Sequence, residues 1–464
     1  MPMKSRRKSV AIFLCLTSVL LLCSFNSIFV SAGVETEPNF LKYEVDGTFV
    51  GIIIHSVRIE NPSFQTLSGG KLIVPLINNQ TARHYVVLAS ISSSEGQPVF
   101  SRDNSDNLYA IWNNIALDGN QAMTAEMNYY VLSFSTRYLV NASRVADYDK
   151  NSELYRKYTQ REELIESNNP EIVSTAQNIT GEAEGLPDKV SKIYSFVIKN
   201  MHYAVQDEEK GALWALRNRV GDCSEYSYLF VALCRAIGIP ARIQAGFVFH
   251  TASETTEDGH MWAEYYLENY GWIPVDASWR QFNRIDTKHF SSIQSIPEKT
   301  TYINLFFSYT GQQELTEKQN ITIKPSSTDL FGNNSAMKNI VNGVSKINQA
   351  KFTAFFGKIF GSGVLLPSEV EKIDENILES ETHMLHAIEV LEGDSQNALL
   401  NVSAAITMAE DALEIAWLLI AKMFTIFFSI FAVIPLSAVM ILKWYRNRRR
   451  NSGHAVSQGS QDLI

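Results

Sequence analysis

Short runs of alternating apolar and polar residues fill the first third of the chain. Turn-forming pairs such as Gly69-Gly70 and Asp118-Gly119 separate them. Such alternation is typical of strands that bury one face, and glycine pairs commonly mark the turns between strands. We therefore expect residues 33–145 to form a β-sandwich domain, with strands over 49–59, 71–77, 84–91, 108–115 and 129–140.

The apolar spacing then changes to that of helices. Residues 146–185 are polar and charged and are interpreted as a linker or bridge, followed by an amphipathic helix over 186–203. A second helix is predicted from Cys223, because apolar residues recur there at helical intervals until Gly238 and Pro240 end the pattern.

Cys223 stands where this second helix begins. Asp222 before it is a good N-cap, and Glu225 has the spacing of a capping box. The unpaired amides and the positive dipole end of a first turn favour a thiolate, and the same amides can donate to an oxyanion. The alternative, a buried apolar cysteine, describes Cys234 well. A disulfide between the two is excluded, because the helix would hold them about 16 Å apart and a bridge needs Cα atoms within about 7 Å.

A β-hairpin is predicted after this helix. Residues 241–249, 260–267 and 272–276 each alternate like strands, and the last two runs are joined by a short turn. The hairpin brings Asp276 towards His260. A four-residue turn would leave the two side chains on opposite faces of the sheet, so a bulge or a register shift is also expected.

Cys223, His260 and Asp276 together supply a nucleophile, its base and the group that orients the base. Taken singly, a strand histidine or a lone aspartate is more often structural, and the catalytic interpretation depends on their joint occurrence. No cysteine–histidine spacing indicates zinc, and no phosphate loop or dinucleotide fingerprint occurs, so no metal and no cofactor are predicted. Four other histidines are interpreted as structural or solvated: His250, His289, His383 and His386.

Three blocks of sequence resemble the transglutaminase-like superfamily, and in particular its membrane-anchored microbial and archaeal members. They are Gly221-Asp222-Cys223, His260-Met261-Trp262-Ala263-Glu264 and Gly271-Trp272-Ile273-Pro274-Val275-Asp276. The resemblance covers roughly 188–279 and implies an α+β fold with a papain-like core, here assigned to a catalytic domain over 186–325. It also implies acyl transfer, in which Cys223 attacks a carbonyl, His260 moves the proton and Asp276 holds the imidazolium.

Both ends of the chain carry long apolar segments. Residues 1–32 have basic residues, an apolar run and a small-residue cleavage site, which is typical of a signal peptide; an uncleaved anchor is the minor alternative. Residues 423–442 carry no charge and are long enough to span a hydrocarbon core of about 30 Å. The basic tail 443–464 follows directly, so the positive-inside rule places the tail in the cytoplasm and the body outside.

Charge and glycosylation signals agree with this topology. The chain has 40 Lys and Arg against 49 Asp and Glu, and many of its cations lie at the two ends, which leaves an acidic body and argues against a nucleic-acid partner. Six Asn-x-Ser/Thr sequons lie between the two apolar segments: Asn79, Asn141, Asn178, Asn320, Asn333 and Asn401.

The region before the span is predicted to be helical. Residues 326–366 are rich in Ser, Asn and Gly and are interpreted as a linker that contains a short apolar helix around Phe352 to Phe360. Residues 367–422 have near-heptad spacing interrupted by Gly393, which predicts a helical hairpin that acts as a stalk or an oligomerisation surface.

Two functions from different classes fit these features. The first is a membrane-anchored thiol enzyme, either a cysteine protease or a transglutaminase-type acyltransferase, that acts on a protein or peptide outside the cell. The second is a non-catalytic cell-surface binding or scaffold protein on a transglutaminase-like fold. The intact set of three site residues favours the enzyme, because a scaffold need retain none of them.

Overall fold

A computed structural model describes residues 40–77, 79, 83–294, 305–310, 314–359 and 366–457. Everything discussed below lies in one unit, Leu41–Ile464. The predicted signal peptide and the last residues of the basic tail lie outside the described residues.

Strands occupy the N-terminal third, as the alternation predicts, and one short strand, the fourth, is additional to those expected. The six are β1 (Tyr43–Glu60), β2 (Leu67–Pro75), β3 (His84–Ser93), β4 (Val99–Arg102), β5 (Leu108–Leu117) and β6 (Ala122–Tyr138).

The middle of the chain alternates between helices and strands. Its helices are α1 (Glu153–Thr159), α2 (Pro170–Thr180), α3 (Gly185–Asn200), α4 (Ala212–Asn218) and α5 (Cys223–Ala236). Its strands are β7 (His202–Tyr203), β8 (Val220–Gly221), β9 (Ala241–Val248), β10 (Glu254–Thr256), β11 (His260–Leu267), β12 (Gly271–Asp276), β13 (Gln281–Phe282), β14 (Arg284–Ile285) and β15 (His289–Gln294).

The C-terminal third begins with two strands and continues as helices. These elements are β16 (Phe306–Thr310), β17 (Thr316–Pro325), α6 (Ser335–Ile359), α7 (Pro367–Val390), α8 (Ser395–Phe428) and α9 (Ile434–Ser457), with a short π-helical segment, Ser429–Val433, between the last two.

The strands form three main sheets. The first has the order β10-β17-β1-β6-β14 with β3 also paired to β6, the second β16-β2-β5-β4, and the third β13-β12-β11-β9-β15. The antiparallel third sheet, with α5 packed on β11, is the papain-like core, so the chain has the α+β fold that the sequence predicts.

The first two sheets form a sandwich that the C-terminal strands complete. β17 pairs along the edge of β1, from Gly51 opposite Pro325 to Glu60 opposite Thr316, and β16 pairs with β2. Both strands lie within 186–325, the range predicted from the sequence to form the catalytic domain. Local alternation identifies a strand but not a partner more than two hundred residues away, so this pairing could not be read from the pattern.

One hydrophobic core joins the sandwich to the papain-like sheet. Ile53, Trp112 and Tyr129 of the sandwich belong to the same buried cluster as Phe247 and Phe290 of that sheet. The sandwich therefore supports the sheet that carries the site.

Two segments interpreted as linkers contain packed helices. α2 lies within the predicted bridge 146–185 and packs on α3 and α5, and α6 fills most of the predicted linker 326–366. The apolar stripe of α6 is diluted by small residues, which explains why its pattern looked irregular. At Gly343 a Cβ would lie 2.4 Å from Cε of Met384 and 3.3 Å from side-chain carbons of Val402 and Ile406, so the helices pack closely at this position.

The predicted hairpin is thus part of a three-helix bundle formed by α6, α7 and α8. Its stripe is buried against α6 and against strand residues that include Tyr43 and Phe134, rather than facing outwards. From α8 the chain continues as one apolar helical stretch, Ser395–Arg448, with a mean hydropathy of 2.4 in its most apolar window. Among the described residues this is the one helix long and apolar enough to cross a membrane.

A buried ion network fixes the papain-like sheet to the start of β3. Glu264 of β11 is fully buried and contacts two guanidinium groups, those of Arg83 and Arg242. Gln244 Nε2 also donates to its Oε2 at 2.7 Å, and the guanidinium of Arg242 lies 4.1 Å from the ring centroid of Trp272. Such a network stabilises a fold only while every member is present.

We expect Glu264→Ala to lower the free energy of unfolding by about 3–5 kcal/mol, because it leaves two buried cations without an anion. The measurement is thermal unfolding of the full chain in detergent, followed by far-UV circular dichroism. The matched control is Glu60→Ala, which breaks the exposed pair with Arg58 (3.3 Å) and should cost under about 1 kcal/mol. Equal unfolding temperatures for the two variants would contradict the assignment.

Candidate active site

The N-terminus of α5 is built around Cys223. Asp222 is its N-cap, with Oδ1 accepting a hydrogen bond from the amide of Ser224 at 3.0 Å, and a complete capping box with Glu225 is present, as predicted. Gly221 is required just before the cap, since a Cβ there would lie 2.3 Å from Cβ of Glu225. The Gly-Asp-Cys order therefore follows from the packing of this turn.

The capping carboxylates also hold the preceding loop. Glu225 is fully buried and accepts from the amides of Asp222 (3.1 Å) and Lys210 (2.8 Å), while Oδ2 of Asp222 accepts from the amide of Gln206 at 3.1 Å. Burial raises the pKa of Glu225 despite these hydrogen bonds. The thiol thus sits on a turn fixed from two sides, with partial access to water.

His260 and Asp276 are brought to one face of the sheet by the register of the hairpin. Leu267 pairs with Gly271 and Ala263 with Val275, so the turn has three residues instead of the four expected. Extending this register by one pair puts Asp276 opposite Trp262, which shares a face with His260. No bulge interrupts the pairing of β11 and β12, but the register is shifted by one residue from that of the expected four-residue turn, which is the second of the two expected alternatives. The turn is tighter because Asn269 and Gly271 adopt left-handed backbone angles (φ 71° and 81°).

Asp276 is almost completely buried, and both of its carboxylate oxygens are fully used. Oδ2 lies 2.7 Å from Nε2 of His260, while Oδ1 accepts from the hydroxyl of Ser278 at 2.7 Å and from the amide of Trp279 at 2.9 Å. Burial alone would raise the pKa of this carboxyl, but the hydrogen bonds from the histidines outweigh it and hold the pKa far below its usual range. The carboxylate is therefore ionised and can only accept hydrogen bonds.

His260 lies between this carboxylate and the thiol. Burial would lower the pKa of His260, but its hydrogen bonds to Asp276 and to Cys223 outweigh burial and raise the pKa. Because Nε2 faces Asp276, Nδ1 is the nitrogen left for the sulfur. The hydroxyl of Ser227, one turn further along α5, donates to the carbonyls of Cys223 (2.8 Å) and Met261 (3.2 Å), which fixes the helix to the histidine strand.

His289 is a site residue that the sequence reasoning missed, since it was interpreted as structural or solvated. Its Nε2 lies 3.2 Å from Oδ2 of Asp276 and its Nδ1 lies 2.9 Å from Oδ1 of Asp286. A neutral imidazole has a single N–H, so two contacts to ionised carboxylates require the imidazolium. The pKa values agree with this assignment. Burial alone would lower the pKa of His289, but its contacts with both carboxylates raise it. Burial alone would raise the pKa of Asp286, but the hydrogen bond with His289 outweighs burial and lowers this pKa to about 2.

Aromatic rings surround these polar groups. The indole of Trp262 stacks on His260 with centroids 6.1 Å apart, and Trp279 stacks on His250 at 4.7 Å and lies 5.4 Å from His289. His250, interpreted from the sequence as structural or solvated, therefore borders the site. The rings reduce the local dielectric and strengthen the charge interactions between the buried groups.

One group of side chains in the described part of the chain could supply metal ligands. Atoms of His260, Asp276 and His289 lie within 4.8 Å of one another. The hydrogen bonds above account for this cluster, because Oδ2 of Asp276 accepts from both rings. His383 and His386 lie in the helical bundle, remote from these residues.

A family model and three solved structures are similar to parts of this chain. Residues 173–277 match the family model of the transglutaminase-like superfamily. Among solved structures, a candidate cysteine protease from Cytophaga hutchinsonii is similar with 16% identity and a TM-score of 0.42, covering 61% of this chain and 100% of its own. The periplasmic domain of TgpA from Pseudomonas aeruginosa, bound to ethylmercury, gives 14% identity and a TM-score of 0.28, covering 52% of this chain and 96% of its own.

A candidate protease from Parabacteroides distasonis has 14% identity and a TM-score of 0.21, covering 48% of this chain and 59% of its own. No curated protein matches the chain. The matched segment begins in α2 and ends one residue after Asp276, so it spans all three motif blocks. The part of the chain that carries the candidate site therefore matches the transglutaminase-like superfamily.

Proposed function

We propose that this chain is a membrane-anchored thiol enzyme of the cell exterior that cleaves or transfers acyl groups at peptide or glutamine carbonyls. The observation that carries the proposal is the buried pair of His260 and Asp276, 2.7 Å apart, beside a partly accessible cysteine at a capped helix N-terminus. Thiol acyl transfer requires a nucleophile, a base and a group that orients the base, and Cys223, His260 and Asp276 are the candidates for these roles.

In the proposed reaction the sulfur of Cys223 attacks the carbonyl carbon, and His260 holds the proton that the thiol has lost. Asp222 already occupies the amides of Ser224 and Glu225, so the first-turn donor that remains for the oxyanion is the amide of Cys223 itself. Collapse of the intermediate breaks the C–N bond, and His260 returns the proton to the leaving amine. The thioester is then attacked by water or by an amine, and the thiol is regenerated.

Hydrolysis is the outcome we favour for the second step. Cys223 is partly accessible to water rather than sealed in the core. Water therefore reaches the thioester, and transfer to an amine requires an acceptor that binds in competition with it. A labelled primary amine incorporated into acceptor protein faster than the substrate is hydrolysed would reassign the enzyme as a transglutaminase.

The proposed placement follows from the C-terminal helix. Residues 423–442 would cross the bilayer, with Trp444 and Tyr445 at the interface and Lys443, Arg446 and Arg448 on the cytoplasmic side. The body, which carries the sequons, would then face outwards. Asn178 and Asn320 are exposed acceptors, whereas Asn141 caps a helical turn and Asn401 is half-buried in the bundle beside His383.

The thiol of Cys223 should react with iodoacetamide at pH 6 at least about tenfold faster in the full chain than in His260→Ala, because the proposed base takes the thiol proton and the thiolate is the nucleophile. The measurement is the rate of alkylation by mass spectrometry of the Cys223 peptide. Cys234 is the internal control, because burial raises the pKa of its thiol and keeps it unlabelled. Equal rates with and without His260 would support the scaffold function instead.

His289→Gln tests the second histidine. The rings of His260 and His289 are 5.7 Å apart, so removing the buried imidazolium should raise the pKa of His260. The pH at which His260 loses its proton should then move upwards by as much as about two pH units at an effective dielectric near 20. The measurement is the NMR titration of the His260 imidazole between pH 5 and 10, with its resonance assigned by its absence in His260→Ala.

The matched control for this variant is His55→Gln, which removes another buried histidine, in the sandwich core. It should leave the titration of His260 unchanged. A His260 titration that is also unchanged in His289→Gln would show that His289 only maintains packing.

A further inference from the structure

Two helices of the bundle, α6 and α8, have exposed faces that change from polar to apolar at the same level along the bundle axis. On α8, Asp411 and Glu414 are exposed and are followed by Trp417 and Leu418, with exposed fractions of 58% and 55%. On α6, Ser345 and Gln349 are followed by four exposed apolar residues, which we call the phenylalanine patch: Phe352, Phe355, Phe356 and Ile359.

The heights can be compared because α6 and α8 run in the same direction. Gly343 lies against Val402 and Ile406, and Gly357 lies against Leu419 and Ile420. The end of α6 is therefore level with residues just before the span 423–442. Three to four helical residues rise only about 5 Å. The headgroup layer on each side of a bilayer is about 5–7 Å thick, so the end of the patch, Phe356 and Ile359, is at its height, and Phe352 lies about one turn further from the span.

The chemistry of the patch suits this layer. Aromatic side chains concentrate at membrane–water interfaces, and contiguous exposed apolar surface is unfavourable in water. The rings also form one surface, since the centroid of Phe356 lies 4.8 Å from that of Phe352 and 6.0 Å from that of Phe355.

Among the described residues, the neighbouring helix α7 has no exposed large apolar side chain at the same height. Its exposed residues there include Glu371 and Lys372. Two of its acids bind cations of the other helices: Glu369 binds Lys422 at 2.9 Å, and Asp374 binds Lys358 at 2.6 Å. This side of the bundle is suited to water. The apolar contact is therefore one-sided.

We propose that the phenylalanine patch lies in the headgroup layer of the membrane and is a second lipid contact beside the spanning helix. This inference rests on the proposed membrane span. With two contacts instead of one, the body cannot rotate freely about the helix, and the α6 side of the bundle faces the lipid. The distance and direction of the site from the bilayer are then fixed.

The test places a nitroxide label on the full chain in phosphatidylcholine vesicles. Phe356→Cys and Ile359→Cys are made after Cys15, Cys23 and Cys223 are replaced by Ser, and buried Cys234 stays unlabelled. Collision with oxygen, which concentrates in lipid, is compared with collision with a water-soluble nickel chelate. We expect labels at both positions to favour oxygen several-fold over the label at Ser345→Cys, the matched control, which is exposed on the same face about three turns before Phe356.

Further positions separate the ways in which the inference can fail. A label at Phe431→Cys, within the span, must favour oxygen; if it favours nickel, the membrane span itself is wrong and the inference falls with it. If position 431 reports lipid but 356 and 359 match 345, the span stands and the second contact is refuted. Shielding of position 356 from both reagents, with spin–spin broadening between chains, would show a second copy of the chain on the patch and would also refute it.

Discussion

The site depends on a single buried carboxylate. Asp276 accepts hydrogen bonds from the rings of His260 and His289, from the hydroxyl of Ser278 and from the amide of Trp279. An ionised carboxyl group out of contact with water is tolerated only when its acceptor positions are filled. These four donors come from three different parts of the chain, so the charge of Asp276 orders the end of the sheet as well as the imidazole.

Most helices and strands were predictable because they are local. The alternation of 260–267 matches β11 residue for residue, and the signals around Cys223 give both ends of α5 to within one residue. What the pattern could not supply is pairing over long distances. The partners of β16 and β17 are chosen by burial against a core assembled from the whole chain, and α6 was obscured because small residues replace large ones where the helices meet.

The candidate site also has a part that was predictable from local sequence and a part that was not. The structure brings together Cys223, His260 and Asp276, which the motifs identify, because each lies at the start or end of a regular element. Their hairpin register was misjudged by one residue, since the left-handed angles of the turn are not visible in a pattern of apolar residues. His289 was missed because its only local signal is Asp286 three residues earlier, a spacing that occurs often without meaning.

The pairing of β17 with β1 has a consequence for biosynthesis. A ribosome makes β1 and β6 early, but the outer edge of β1 stays unpaired until residues beyond the papain-like core have been made. Open edges of this kind are templates for aggregation. If the chain is exported as it is made, the incomplete sandwich has an unpaired edge on the far side of the membrane, where the edge is exposed or bound by a chaperone. Maturation of the thiol site then depends on the end of secretion rather than on the synthesis of the site itself.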